Sequence, residues 1–221
     1  HKEGREYLSP DLWKGLKGSG PPAYYLDFET MSPAIPLYPG TSPYQTIPFQ
    51  WSLHRVDGNG EISHWEFLSD GKTDPRRELA ESLISAAGNS GQPILMYTHY
   101  EKIVLNNLIK HLPDLAEPIN AIIDRLFDLI NVTRGYIYHP GFYGSFSIKA
   151  VAPALVPSIN YGALEQVADG QAASGAFEAI VSGKLSGEDE SALRASLLEY
   201  CKLDTLALVE VHMALIERAE G

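Results

Sequence analysis

The chain has a single cysteine, Cys201, among 221 residues. That excludes an internal disulfide framework and any multi-cysteine zinc site, and it makes a reducing cytoplasm the expected compartment. Long hydrophobic runs are missing too. No stretch approaches the roughly 20 apolar residues of a membrane span. The first twenty residues, HKEGREYLSPDLWKGLKGSG, lack the apolar centre of a signal peptide. Basic residues are scarce: 17 Lys and Arg stand against 28 Asp and Glu, a formal net charge of -11. Phosphate affinity comes largely from Lys and Arg, so this balance weighs against nucleic acid held on a broad basic surface. It leaves room for an enzyme that holds phosphates through bound cations, in which part of the acidity serves as ligand.

Hydrophobic residues make up 44% of the chain, enough for a real core, and the mean hydropathy is -0.13. The length suits one fairly large domain. Residues 1–21 read as a linker or a cut from a longer protein, so further domains are expected beside residues 22–221. AYYLDFETM, fenced by Pro21, Pro22 and Pro33, reads as a strand. IPFQWSLHRV (47–56) and EISHWEFLS (61–69), joined by DGNG, read as an antiparallel hairpin. DPRRELAESLISAAG (74–88) carries helix start and stop signals. PILMYTH (93–99) reads as a buried strand leading into a helix with Ile103, Leu105, Leu108 and Ile109 at helical spacing. Residues 119–137 are apolar and helical or mixed, and 141–157 combine a Gly/Ser-rich loop with a short helix. Residues 188–220 form the clearest element, a long amphipathic helix. Strands followed by strand-helix alternation indicate an α/β fold, a central mixed sheet flanked by helices.

Asp27 and Glu29 lie two apart on the first strand and therefore share a face. Like charges that close raise each other's pKa and cost energy unless a proton or a cation intervenes. The competing reading is a sheet edge facing water. Tyr200 and Asp204, four apart, share one helical face, and Asp204 sits in the apolar run LDTLALVEV, where a mid-helix Asp is a poor helix former. A third acid is offered by Glu101, where a strand passes into a helix, or by Asp128 in RLFDLINV. As alternatives, Glu101 is an ordinary first-turn acid facing the helix dipole, and Asp128 is a cap or a salt-bridge partner.

LDFET, YTHYEK and YCKLD, in that order, resemble the three exonuclease motifs of the DEDD superfamily, the DnaQ-like, RNase H-fold 3′-5′ exonucleases. Tyr200 and Asp204 as Y-x-x-x-D resemble its tyrosine subgroup, DEDDy. IPFQWSLH, YTHYEKIVLNNL, DLINV and HPGFYGSFSIKAVAPALVP resemble, more closely, a bacterial domain of unknown function related to that superfamily. The resemblance runs over residues 22–215. It implies an RNase H-like fold and hydrolysis of DNA or RNA phosphodiesters with two divalent ions, Mg²⁺ or Mn²⁺. Asp27, Glu29, Glu101 and Asp204 would be the metal ligands, with Asp128 the alternative to Glu101. Tyr200 would orient the attacking water without acting as a full base, since a phenol has a pKa of about 10. The departure is Glu101, where the superfamily's second motif usually carries Asp. His99, Lys149 and Tyr143 are further candidates to touch substrate, although a solvated Lys149 and a structural His99 are the plainer readings. A catalytically silent module and a small-nucleotide phosphodiesterase are the rival functions.

Overall fold

The computed structural model describes residues 4–164 and 166–221. Its first elements lie in the segment expected to be a linker. Tyr7–Leu8 forms a short strand, β1, and Leu12–Gly15 a helical turn, α1. The expectation fails because Leu8, Leu12 and Leu16 recur every four residues and insert an apolar stripe into the core. Ser19, also in that segment, is fully buried. Trp13, off the stripe, is exposed.

Two long strands follow where expected, β2 (Ala23–Met31) and β3 (Ile47–Val56), then β4 (Ile62–Leu68) and α2 (Arg76–Ala87). The expected buried strand is shorter, β5 (Ile94–Met96), and runs into α3 (Tyr100–His111). The apolar stretch 119–137 resolves into α4 (Ala116–Ile123), a third parallel strand β6 (Leu126–Asp128) and α5 (Leu129–Tyr136). Then come β7 (Ile137–Tyr138), α6 (Ile148–Leu155), α7 (Gly170–Val181) and α8 (Gly187–Glu220). β7 pairs antiparallel with β1.

The main sheet has the order β4-β3-β2-β5-β6. Its β2–β3 and β3–β4 pairs are antiparallel, and β2–β5 and β5–β6 are parallel. The fold is thus α/β, a mixed five-stranded sheet flanked by helices, as expected. The period of two along β2 assigns its faces. Tyr24, Leu26 and Phe28 pack with residues of α2, α3 and α4. Ala23 and Tyr25 pack on the other face, with residues of α6 and α8. The register slips between Glu29 and Thr30, leaving Phe49 of β3 without an opposite number. Phe49 stacks flat on Phe177 of α7 at 4.1 Å, fastening α7 over the end of β2. No helix among the described residues is long and apolar enough to cross a membrane.

Candidate active site

Parallel strands bring their C-terminal ends to one edge, where open α/β sheets hold ligands. The acids gather there. Asp27 and Glu29 occupy the second half of β2, Glu101 stands in the first turn of α3 just past β5, and Asp128 ends β6. The fourth acid arrives from the covering helix, where Tyr200, Cys201 and Asp204 are all buried in α8. Gln50, paired opposite Glu29 in the sheet register, anchors α8 here by donating from Nε2 to the Leu197 carbonyl oxygen at 2.8 Å.

Burial and crowding set the protonation of this group. Asp27 is pushed up to about 8, first by burial and then by Asp204. Glu29 is held well above the carboxylate range by burial, then by Asp27 and Asp204. Glu101 is raised likewise by burial and then Asp27. Burial raises Asp204 as well, opposed by Tyr161, Lys149 and Tyr200. Two oxygens stay orphaned: Glu101 Oε2, on a residue 4% exposed, and Asp204 Oδ1, on one 9% exposed. Buried polar atoms are nearly always hydrogen-bonded, so each orphan needs an explanation.

Lys149 enters the site rather than solvent. Its Nζ donates to Tyr200 Oη at 2.9 Å and to the Ala168 carbonyl at 2.8 Å, and it lies over the rings of Tyr200 and Tyr161. Burial, then Asp204, Glu29 and Asp27, drive the Tyr200 phenol far above its ordinary value, so it keeps its proton. The Cys201 thiol points at Asp27, with Sγ 3.7 Å from Oδ2. Ligand atoms of Asp27, Glu29 and Cys201 all lie within 4.8 Å of one another, a spread one cation can bridge.

The remaining expected residues divide. Asp128 occupies the N-cap position of α5 and adds to the charge around Glu101. Its Oδ1 is also buried without a partner. Glu101 lies beside Asp27. His99 is exposed at the start of α3. Tyr143 is 95% exposed, in a left-handed backbone conformation.

Two residues of the site had gone unmarked in the sequence. Tyr161 sits in an irregular segment without periodicity, and its buried hydroxyl lies beside Asp204. Cys201 is flagged only by following Tyr200.

A family model described as a domain of unknown function, DUF2779, matches residues 24–147, more than half of the chain. The chain belongs to that family. The DUF2779 match spans Asp27, Glu29, Glu101 and Asp128 and ends before Lys149 and α8. No curated protein and no solved structure matches the chain.

Proposed function

We propose that the chain is a divalent-metal-dependent 3′-5′ exonuclease of the RNase H-like, DnaQ-type class, hydrolysing phosphodiester bonds in DNA or RNA. One observation carries this reading: Asp27, Glu29, Glu101 and Asp204 converge at the C-terminal edge of the sheet, Asp27 half-buried and the other three buried, with two oxygens unsatisfied. Four clustered carboxylates serve no packing purpose that Asn or Leu would not serve better. The sheet order, antiparallel through β4-β3-β2 and then parallel through β5 and β6, supports the RNase H-like assignment.

The donor set fits hard divalent cations such as Mg²⁺ or Mn²⁺, which prefer oxygen. Asp27 and Glu29 with Asp204 would hold one, and Glu101 with Asp27 a second. Bound there, such ions supply charge relief at the phosphate oxygens, a more acidic water and help for the leaving oxygen. The protein's own groups do the positioning. Lys149 donates to a lone pair of Tyr200 Oη, and the phenol hydrogen is turned towards Asp204, where it can meet a water or phosphate oxygen held beside that carboxylate. Because the phenol keeps its proton, Tyr200 orients and does not act as the base.

The test is degradation of 5′-labelled single-stranded DNA and RNA with Mn²⁺, wild type beside Asp27→Ala. A ladder shortening from the 3′ end and lost in the variant supports the proposal and reports the preferred sugar. The charge of -11 favours a second reading, a phosphodiesterase for small nucleotides. Cleavage of dinucleotides with no cleavage of longer strands would select it.

A further inference from the structure

We propose that the cavity between α2, α3 and the start of β3 is a phosphate-binding subsite, filled by a backbone phosphate of a single strand whose 3′ end lies at the acids. This rests on the exonuclease reading above and extends it from the reaction to the substrate, a strand rather than a dinucleotide.

The cavity, of about 300 Å³, lies at the acid edge of the sheet on the face that carries α2 and α3. Pro48, in its wall, pairs in register with Thr30, the residue after Glu29. Thr30 Oγ1 hydrogen-bonds Tyr100 Oη at 2.7 Å, and Tyr100 is the neighbour of Glu101. From there Tyr100, Ile103, Asn107 and Lys110 recur at helical spacing, exposed except for the half-buried Asn107. This stripe leads from the acids into the cavity. Lys110 stands about 14 Å beyond Glu101 along α3. Neighbouring phosphates of a strand lie closer together than that, so only a longer strand reaches both places. A dinucleotide has a single internucleotide phosphate and cannot.

The walls offer donors and few acceptors. Arg76, 3% exposed, gives Nε and Nη2 to Asp74 and leaves Nη1 unpartnered among the described residues. Gln45 Oε1 accepts from the Ser42 amide at 2.9 Å, and Asn107 Oδ1 accepts from Lys110 Nζ at 3.2 Å. Both of those partners can only donate. Each amide therefore spends its oxygen within the protein and keeps its NH₂ group spare. Lys110 forms no ion pair among the described residues, in a chain with 28 Asp and Glu against 17 Lys and Arg. His111 Nε2 lies 3.7 Å from Asp74 Oδ2. Even so its imidazole is held below its ordinary value, first by burial and then by Arg76, which outweighs Asp74 there. The field is cationic despite Asp74. An Arg76–Asp74 pair serving the fold alone would need none of these spare donors. A guanidinium edge, an ammonium and two amides around one space suit an anion with oxygens in several directions, and phosphate is that anion.

The experiment is NMR of the His111 imidazole in the full chain, kept metal-free by a chelator so that strands stay intact, with His111→Asn to assign the signal. Inorganic phosphate and a single-stranded DNA are the probes. We expect each to shift His111 saturably. Lys110 is exposed, so Lys110→Gln keeps the fold. It should weaken phosphate binding and lower the slope of log affinity against log salt for the strand by about 0.7. Lys17→Gln, also exposed but outside the cavity, should leave that slope unchanged. His111 unmoved by both probes would overturn the subsite, and the Mn²⁺ ladder would still judge the exonuclease reading by itself. A shift with phosphate but none with the strand would overturn the strand and leave a site for free phosphate. Strand binding at His111 without any Mn²⁺-dependent degradation would uphold the subsite and overturn the exonuclease.

Discussion

Helix α8 presses two polar clusters against the same face of the sheet, and they are built on opposite principles. Towards its C-terminal half, Thr205 Oγ1 hydrogen-bonds Ser52 Oγ at 2.7 Å and His54 Nδ1 at 2.8 Å, and Ser52 also meets His64 Nε2 at 2.9 Å. Two turns on, His212 spans Ser19 and Tyr25, at 2.8 and 2.9 Å. Ser19 donates its own hydrogen to the Leu16 carbonyl. Hence His212 Nε2 must be the protonated nitrogen, and Nδ1 accepts from the Tyr25 hydroxyl. None of these buried atoms lacks a partner. Next to Thr205 in α8, Asp204 and the acids around it are also withdrawn from solvent yet carry orphaned oxygens and crowd like groups together. A chain able to satisfy every hydroxyl and imidazole of the first cluster was not short of means to satisfy the second. The difference separates polar groups that hold the fold from polar groups reserved for a ligand.

The largest test of that contrast is Asp27→Asn. Removing one buried charge should cut phosphodiester hydrolysis by at least about 10³-fold, the scale seen when a single preorganised electrostatic group is lost. The same change should raise the melting temperature of the metal-free protein above pH about 8, where the Asp27 carboxyl would otherwise ionise beside Asp204. Activity and stability moving in opposite directions is the signature of a functional group. If both fell together, Asp27 would belong with the structural cluster.

Thr205→Val is the mirror image. Valine keeps the shape and removes the hydroxyl, leaving Ser52 and His54 each short of a partner. Urea unfolding should show a loss of about 1–3 kcal/mol, while Mn²⁺ affinity measured by calorimetry stays unchanged. A drop in metal affinity of the size caused by Asp27→Asn would show that the two clusters are one unit.

The clusters should also answer pH with opposite signs. Burial holds His54 near 3, and His64 and His212 near 4, against about 6.5 in an unfolded chain. As pH falls from about 6.5 towards 4 the unfolded state takes up protons the folded state refuses, so stability is lost. Asp27 runs the other way. Its folded pKa of about 8 lies above the unfolded value of about 3.9, so the metal-free protein loses stability as pH rises through that window. Saturating Mn²⁺ binds the deprotonated carboxylates and should flatten only the alkaline limb of melting temperature against pH. If Mn²⁺ lifted both limbs equally, the acids would not be its site.

Much of this contrast was legible before any coordinates. β2 and β3 run over the residues expected, because aromatic and β-branched runs fenced by Pro and Gly leave little choice. The paired acids Asp27 and Glu29, and the Tyr200–Asp204 spacing, followed from strand and helix periods alone. What escaped notice lacks periodicity. β6 has three residues inside an apolar run that reads as helix, and the Ala- and Gly-rich α7 carries no strong polar face. Lys149 looked solvated because nothing local to α6 reveals that Tyr200 lies across from it. Ser19–His212 and Ser52–Thr205 join residues 193 and 153 positions apart, so the satisfied cluster exists only in three dimensions.

The smallest effect is expected at Tyr143, which belongs to neither cluster. It is 95% exposed with φ of 49°, a conformation that is uncommon for a non-Gly residue and carries some strain. Its ring makes no apolar contact that offsets this. Tyr143→Gly should therefore leave stability within about 0.5 kcal/mol or raise it slightly, as checked by urea unfolding. Base–aromatic stacking is worth about 1–3 kcal/mol per base. If the ring stacks on a substrate base, the same variant should raise KM for single-stranded DNA or RNA while kcat holds. Unchanged KM would confine substrate recognition to the acid edge of the sheet and to Lys149 and Tyr200 beside it.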